Sequence, residues 1–184
     1  MMKNNWLKYM ILAFSGLLVG LDQLFKWLAQ EYLAPLENFT YPLIPDVFHL
    51  TYLENRGAAF GIFAGKSFFL IGLTSVILAA ILILLLSGRI RQPFLMWSLG
   101  LIVGGGIGNL IDRIFRQYVI DYLDFRLINF AVFNFADCCV VVGTALVLIY
   151  LVFLEHRGKE KKDSTDAAEA SETQPDSKEE TAHE

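Results

Sequence analysis

The sequence predicts an integral membrane protein, mainly α-helical, with four transmembrane helices. Three charge-free runs carry that reading: no Asp, Glu, Lys or Arg occurs from Ser67 to Gly88, from Gln92 to Ile111, or from Cys138 to Leu154. Each run suits a helix crossing a hydrocarbon layer about 30 Å thick, which takes roughly 20 residues. The composition agrees. Of 184 residues, 55% are hydrophobic and 18% charged, with a mean hydropathy of +0.48, whereas a soluble domain carries about 25% charged residues. A buried soluble helix can be equally apolar, but three such runs in so short a chain favour a bilayer.

The first helix is less clean. Tyr9 to Leu21 is charge-free, then Asp22 and Lys26 interrupt before Trp27-Leu28-Ala29. A membrane-spanning length, about 9–28, requires tolerating both charges. They stand at i and i+4, where an acid and a base share a helix face and can pair, and a lysine near the interface can snorkel to water. A cleaved signal peptide is the rival, since Lys3 and Lys8 precede the apolar stretch, but no A-x-A pattern follows, so a retained helix is expected. The other helices are expected at about 67–88, 92–112 and 137–154.

Orientation follows from loop charges. With the N-terminus inside, the cytoplasmic segments hold Lys3, Lys8, Arg89, Arg91, Arg157, Lys159, Lys161 and Lys162. The opposite side holds Arg56, Lys66, Arg113, Arg116 and Arg126, diluted by Glu31, Glu37, Asp46, Glu54, Asp121 and Asp124. The bias is modest but sits close to helix ends, where it counts most, and predicts both termini in the cytoplasm. Residues 158–184 carry nine acidic and four basic residues and no aromatic one. Such a segment buries too little to offset its ordering entropy, so a disordered acidic cytoplasmic tail is expected after a membrane domain of about 1–157.

Cys138 and Cys139 are adjacent, with no C-x-x-C pattern or histidine cluster beside them. They read as small packing residues rather than a metal or redox site. His49, His156 and His183 are scattered with no H-E-x-x-H, which argues against a zinc protease. No metal, cofactor or nucleic acid is expected.

Polar chemistry concentrates where the outer ends of helices 1, 3 and 4 would meet. Gly104-Gly105-Gly106-Ile107-Gly108 lets another backbone approach helix 3 closely. Asn109, Asp112, Arg113 and Arg116 then recur at helical spacing. Asp112 with Arg113 or Arg116 could be no more than an ion pair ending the helix. Asp121 and Asp124 follow in a stretch that looks strand-like or interfacial. Asn134 and Asp137 open helix 4; either could cap it, yet one cap needs only one of them, and aspartates at a membrane border are costly unless paired or functional. Two close aspartates cannot both ionise at neutral pH. Such a pair can hydrolyse an amide, the carboxylate acting as base on water and the acid form stabilising the carbonyl oxygen. Spacing alone does not choose among Asp112, Asp121, Asp124 and Asp137.

Five ordered blocks resemble one family. Asp22-Gln23-x-x-Lys26, Asn55-Arg56-Gly57-Ala58-Ala59-Phe60-Gly61, Gly104 through Arg113, Val119-Ile120-Asp121, and Phe133-Asn134-Phe135-Ala136-Asp137 together look like lipoprotein signal peptidase, or signal peptidase II, from about Asp22 to Tyr150. The resemblance implies a bacterial inner-membrane aspartic endopeptidase acting on prolipoproteins cut before a cysteine bearing diacylglycerol; membrane lipids are the other partner expected, and a monomer is expected. The resemblance implies Asp121 and Asp137 as the catalytic pair. It implies Asn55, Gly57, Asn109, Arg113 and Asn134 around the substrate, Asp112 as support for the end of helix 3, and Asp22 and Lys26 as structural. The segment between Asp121 and Asp137 is short for the family, and the acidic tail has no counterpart in it. The resemblance also gives residues 35–66 a role. Pro35, Pro42 and Pro45 break helicity, and alternation through Val47 to Leu53 suggests short strands, so a small extracytoplasmic β-sheet at the membrane surface is expected.

Two other functions fit parts of the pattern. A small transporter would use intramembrane acids as an ion path, but the centres of helices 2 to 4 carry no charge. A non-catalytic assembly factor would use the glycine-rich helix 3 for packing. A serine–lysine peptidase lacks a recognisable serine motif near Lys26.

Overall fold

The computed structural model describes residues 5–57 and 66–154. Four helices, α1 (Asn5–Tyr32), α2 (Ser67–Leu86), α3 (Pro93–Phe115) and α4 (Phe135–Ile149), accompany strands β1 (Thr40–Ile44), β2 (Phe48–Asn55) and β3 (Val119–Phe125). Helices α1, α2 and α3, and the span Phe135–Val152 that begins with α4, are long and apolar enough to cross a membrane. Their surfaces suit lipid rather than water. Phe68 is 83% exposed and Ile83 69%, far beyond the scattered apolar exposure of a soluble surface.

Chain contacts divide the molecule after Val147. In the second unit, residues 148–149 complete α4 and Tyr150–Leu154 form a wider π-type turn, where a continuous α-helix to residue 154 was expected. The expected acidic tail lies outside the described residues.

Within the first unit α3 is the central helix. Leu7 and Ile11 of α1, Leu85 of α2 and Met96, Leu99 and Val103 of α3 form one buried cluster. Ser15 donates to Gly100 O at 2.9 Å, tying α1 to α3. Further along α3, glycine is required by close approach. A Cβ on Gly105 would run into Ala136 O and press on Cys139 and Val140, while one on Gly108 would strike the Asp22 carboxylate. Gly105 therefore admits the first turn of α4, and Gly108 admits an acid from α1. Replacing Gly105 with Ala is expected to cost about 1–3 kcal/mol, the usual range for overpacking. Gly72→Ala, with nothing within 4 Å of its Cβ, serves as the control. Thermal midpoints of the two purified variants check this; equal midpoints would contradict it.

Helix α1 extends beyond the expected 9–28 in both directions because its charges do not interrupt it. Lys26 does not snorkel to water: it is fully buried, as is Asp22, and the two pair at 2.8 Å.

The sheet is antiparallel in the order β1-β2-β3. Residues 35–66 supply two of its strands, and the third comes from the stretch after α3. Pro42 sits in β1, an edge strand, where its missing donor is tolerated. Leu53 pairs with Asp121 and His49 with Asp124, the register shifting between Leu50 and Leu53. That irregularity decides the site, because it puts Asp121 on the same face of the sheet as Asn55, although Asp124 shares a face with His49. Ala29 and Leu33 at the end of α1 pack with Ile120 and Tyr122 of β3, which presses the sheet onto the helix ends.

Candidate active site

A cavity of about 540 Å³ opens between β2, β3, α2, α3 and α4. Of the four aspartates the sequence left open, only Asp121 and Asp137 line it. Asp124 is held on the sheet by Thr51 at 2.7 Å and Arg126 at 2.9 Å. Asp112 is wholly buried, facing Lys26 at 3.0 Å and Arg116.

Asn134 joins the two lining acids. Its Nδ2 donates to Asp121 Oδ1 at 2.7 Å. Its Oδ1 accepts from the Asp137 amide at 3.0 Å, and its own amide donates to Asp137 Oδ2 at 3.1 Å. This reciprocal pair is a capping box. Both residues cap α4, contrary to the expectation that one would suffice, and the cap aims Asp137 Oδ1 at the cavity side, where Asn109 Nδ2 donates to it at 2.8 Å. Asp121 Oδ2 accepts from Asn55 Nδ2 at 2.8 Å. Asn55 Oδ1 in turn accepts from the Gly57 amide at 2.9 Å, and Arg113 donates to Gly57 O at 3.3 Å. Asn55, Gly57, Asn109, Arg113 and Asn134 thus surround the two acids. Ala58, Phe60 and the rest of that motif lie outside the described residues.

Burial raises the pKa of Asp121 from its ordinary 3.8 to about 7, with the charge of Asp137 adding to the rise and the amides of Asn55 and Asn134 opposing it. Tyr122 also titrates high, again through burial; its hydroxyl accepts from the Phe135 amide at 3.2 Å. A carboxyl that holds its proton near neutrality, beside a second carboxylate whose oxygens both accept N–H groups, is an arrangement able to activate water.

Gln23 is the residue that sequence reasoning passed over. Its Nε2 lies 3.2 Å from Asp22 Oδ2, Gly108 O and Asp112 Oδ1, and its Oε1 accepts from Arg116 at 3.3 Å. Its place inside the Asp22-Gln23-x-x-Lys26 block was the available signal. The cavity lining also includes the apolar Ile77 and Leu78 of α2 and Val140 and Val141 of α4, and no group of three or more potential metal ligands occurs among the described residues.

Fold and site together define a polytopic membrane protein with a carboxylate pair at one end of its helices. The family model for signal peptidase (SPase) II matches residues 14–153. A lipoprotein signal peptidase of Halothermothrix orenii is 47% identical over 135 residues, covering 73% of this chain and 90% of that one. One from Caldanaerobacter subterraneus subsp. tengcongensis is 43% identical, covering 79% and 97%. A solved bacterial membrane enzyme superposes with a TM-score of 0.70 at 25% identity, over 95% of this chain and 94% of that one. The chain belongs to the signal peptidase II family and is a membrane protease.

Proposed function

We propose that this protein removes the signal peptide from diacylglyceryl-modified prolipoproteins, hydrolysing the bond before the lipidated cysteine with water activated between Asp121 and Asp137. The observation that carries the reading is the convergence of those two carboxylates on one cavity, bridged by Asn134. Asp137, whose two oxygens both accept N–H groups, is the base. Asp121, the more deeply buried, carries the proton. Asp137 takes a proton from water as the oxygen attacks the scissile carbonyl carbon, and Asp121 gives its proton to the carbonyl oxygen. On collapse that hydroxyl proton returns to Asp121, Asp137 protonates the departing nitrogen, and the C–N bond breaks. Family membership supports the substrate class. The apolar part of the cavity lining, Ile77, Leu78, Val140 and Val141, suits acyl chains that stay in the bilayer. With the termini in the cytoplasm, the sheet and the acid pair lie at the extracytoplasmic face. Membrane lipids are then the other partner, and the protein works as a monomer.

Gel-resolved cleavage of a lipidated precursor by the purified protein separates this reading from a transporter or a packing factor. An unchanged precursor would refute it. The proton on Asp121 adds a second expectation. Activity requires the singly protonated pair, so kcat/KM falls as pH rises through about 7, approaching tenfold per pH unit on the alkaline limb. The same raised pKa destabilises the fold as pH climbs from the unfolded value near 4 toward 7, since the folded protein binds the extra proton. A kcat/KM profile from pH 5 to 9 checks the first point; a flat profile through pH 9 would contradict it.

A further inference from the structure

Behind the acid pair lies a buried ion cluster that the proposed chemistry does not itself use. Lys26 Nζ donates to Asp22 Oδ2 at 2.8 Å, Asp112 Oδ2 at 3.0 Å and Asn109 Oδ1 at 2.8 Å. Lys26, Asp22 and Asp112 are completely buried, and Arg116 joins Asp112 from α3. The third contact of Lys26 is the informative one. An ammonium only donates, so it forces the Asn109 amide to present Oδ1 to it. The opposite end, Nδ2, then falls 2.8 Å from Asp137 Oδ1. A flipped amide would set NH2 against the ammonium and against Asn134 Nδ2, which also donates to Asn109 Oδ1 at 3.1 Å.

The acids of the cluster reach the pair by a second route. Asp22 Oδ1 accepts the Ala136 amide at 3.1 Å, and Asp112 Oδ2 accepts the Ile120 amide at 3.2 Å. Each of those amides belongs to the residue just before a member of the acid pair. The cluster therefore grips both backbones and, through Lys26, one side-chain donor.

We infer that Lys26 is a positioning residue of the proposed hydrolysis: it holds Asn109 with its N–H on Asp137 and so keeps the base charged and aimed. The inference rests on the acid-pair reading above. Other groups face the pair as well. Arg113 from α3 stands near both acids, Tyr122 comes from β3, and Cys138 adjoins Asp137 on α4. Residues of α2 that line the cavity, Thr74, Ile77 and Leu78, bring no titratable group. Arg113 supplies charge without orienting the Asn109 amide, for it donates to that residue's backbone carbonyl at 3.4 Å. Lys26 is the cation that sets the side chain.

Removing Lys26 alone would strand two buried acids, so the double variants drop one charge of each sign and keep the cluster neutral, with Asp22→Asn as their reference. Asp22→Asn is compared with Asp22→Asn/Lys26→Met and Asp22→Asn/Lys26→Gln, each assayed for kcat, KM and pH profile on a lipidated precursor at equal amounts of inserted protein. Adding Lys26→Met is expected to lower kcat about ten- to a hundredfold, as loss of a buried hydrogen-bond partner does, with KM nearly unchanged. The acid limb of the profile should move to higher pH by about one pH unit, because the pair has lost a donor and a nearby cation that favour its charged form. Lys26→Gln, whose amide can still donate to Asn109, should recover part of kcat while keeping the displaced limb. An unmoved acid limb, or equal losses for Met and Gln, would reduce Lys26 to a packing role and overturn the inference. Should the methionine variant fail to insert, the glutamine variant decides by its acid limb alone. Asp137→Asn in the same series keeps the two readings apart. Full cleavage by that variant would defeat the acid pair, whereas a dead Asp137→Asn beside an unmoved Lys26 limb would defeat only the positioning role of Lys26.

Discussion

Asp137→Asn is expected to lose about three orders of magnitude or more in turnover, the scale on which members of other catalytic constellations fail. An amide cannot take a proton from water. It also meets the wrong partners: Asn109 Nδ2 and the Asn134 amide both donate to this side chain, so one of them would face an NH2 group. Asp121→Asn should fail to a similar degree, since its two oxygens also accept from amide donors and its removable proton is gone. Both variants should still insert, because α4 and β3 are held by the sheet pairing and the buried clusters. Initial cleavage rates at equal membrane abundance measure this. A near-normal rate from either would remove that aspartate from the chemistry.

Asp112→Asn is expected to produce the largest loss of stability. The two oxygens of Asp112 take Lys26, Arg116, Gln23 and the Ile120 amide. Neutralising the side chain leaves Lys26 and Arg116 with Asp22 as the one remaining acid of the cluster, a buried excess of positive charge. Breaking a buried ion network by removing one partner costs about 3–5 kcal/mol. Turnover per folded molecule should fall only about ten- to a hundredfold, the effect of a lost hydrogen-bonded support. The thermal midpoint reads the first effect and the normalised rate reads the second. Should Asp112→Asn be as inactive as Asp137→Asn while Asp121→Asn still cleaves, the catalytic pair would be Asp112 with Asp137.

The membrane helices were legible because the bilayer imposes a simple rule on sequence, long runs without charge, and α2 and α3 obey it. Helix α1 was legible only in part. The i, i+4 spacing of Asp22 and Lys26 announced their pairing, but the buried lysine is also held by Asp112 and Asn109, more than eighty residues away. The same limit hid the partner of the third strand, whose stretch already looked strand-like or interfacial. Nothing near Val119–Phe125 says that it will pair with β2, since sheet partners are chosen by register across the fold, and here an irregularity sets which aspartate faces Asn55. At the start of α4 the difficulty was of another kind. Asn134 and Asp137 carry the spacing of a cap and the chemistry of a site, and the structure uses both at once. Family resemblance selected Asp121 and Asp137 where spacing left four candidates. Both of them line the cavity, and their catalytic role is what the proposed experiments address.

The most direct test of the account is intact-mass analysis of what the purified protein releases from a diacylglyceryl-modified precursor. Two fragments are expected whose masses together equal the precursor plus one water, divided immediately before the modified cysteine, with intact precursor alone from Asp121→Asn and from Asp137→Asn. A cut at another position, or the same fragments from either variant at the wild-type rate, would contradict it.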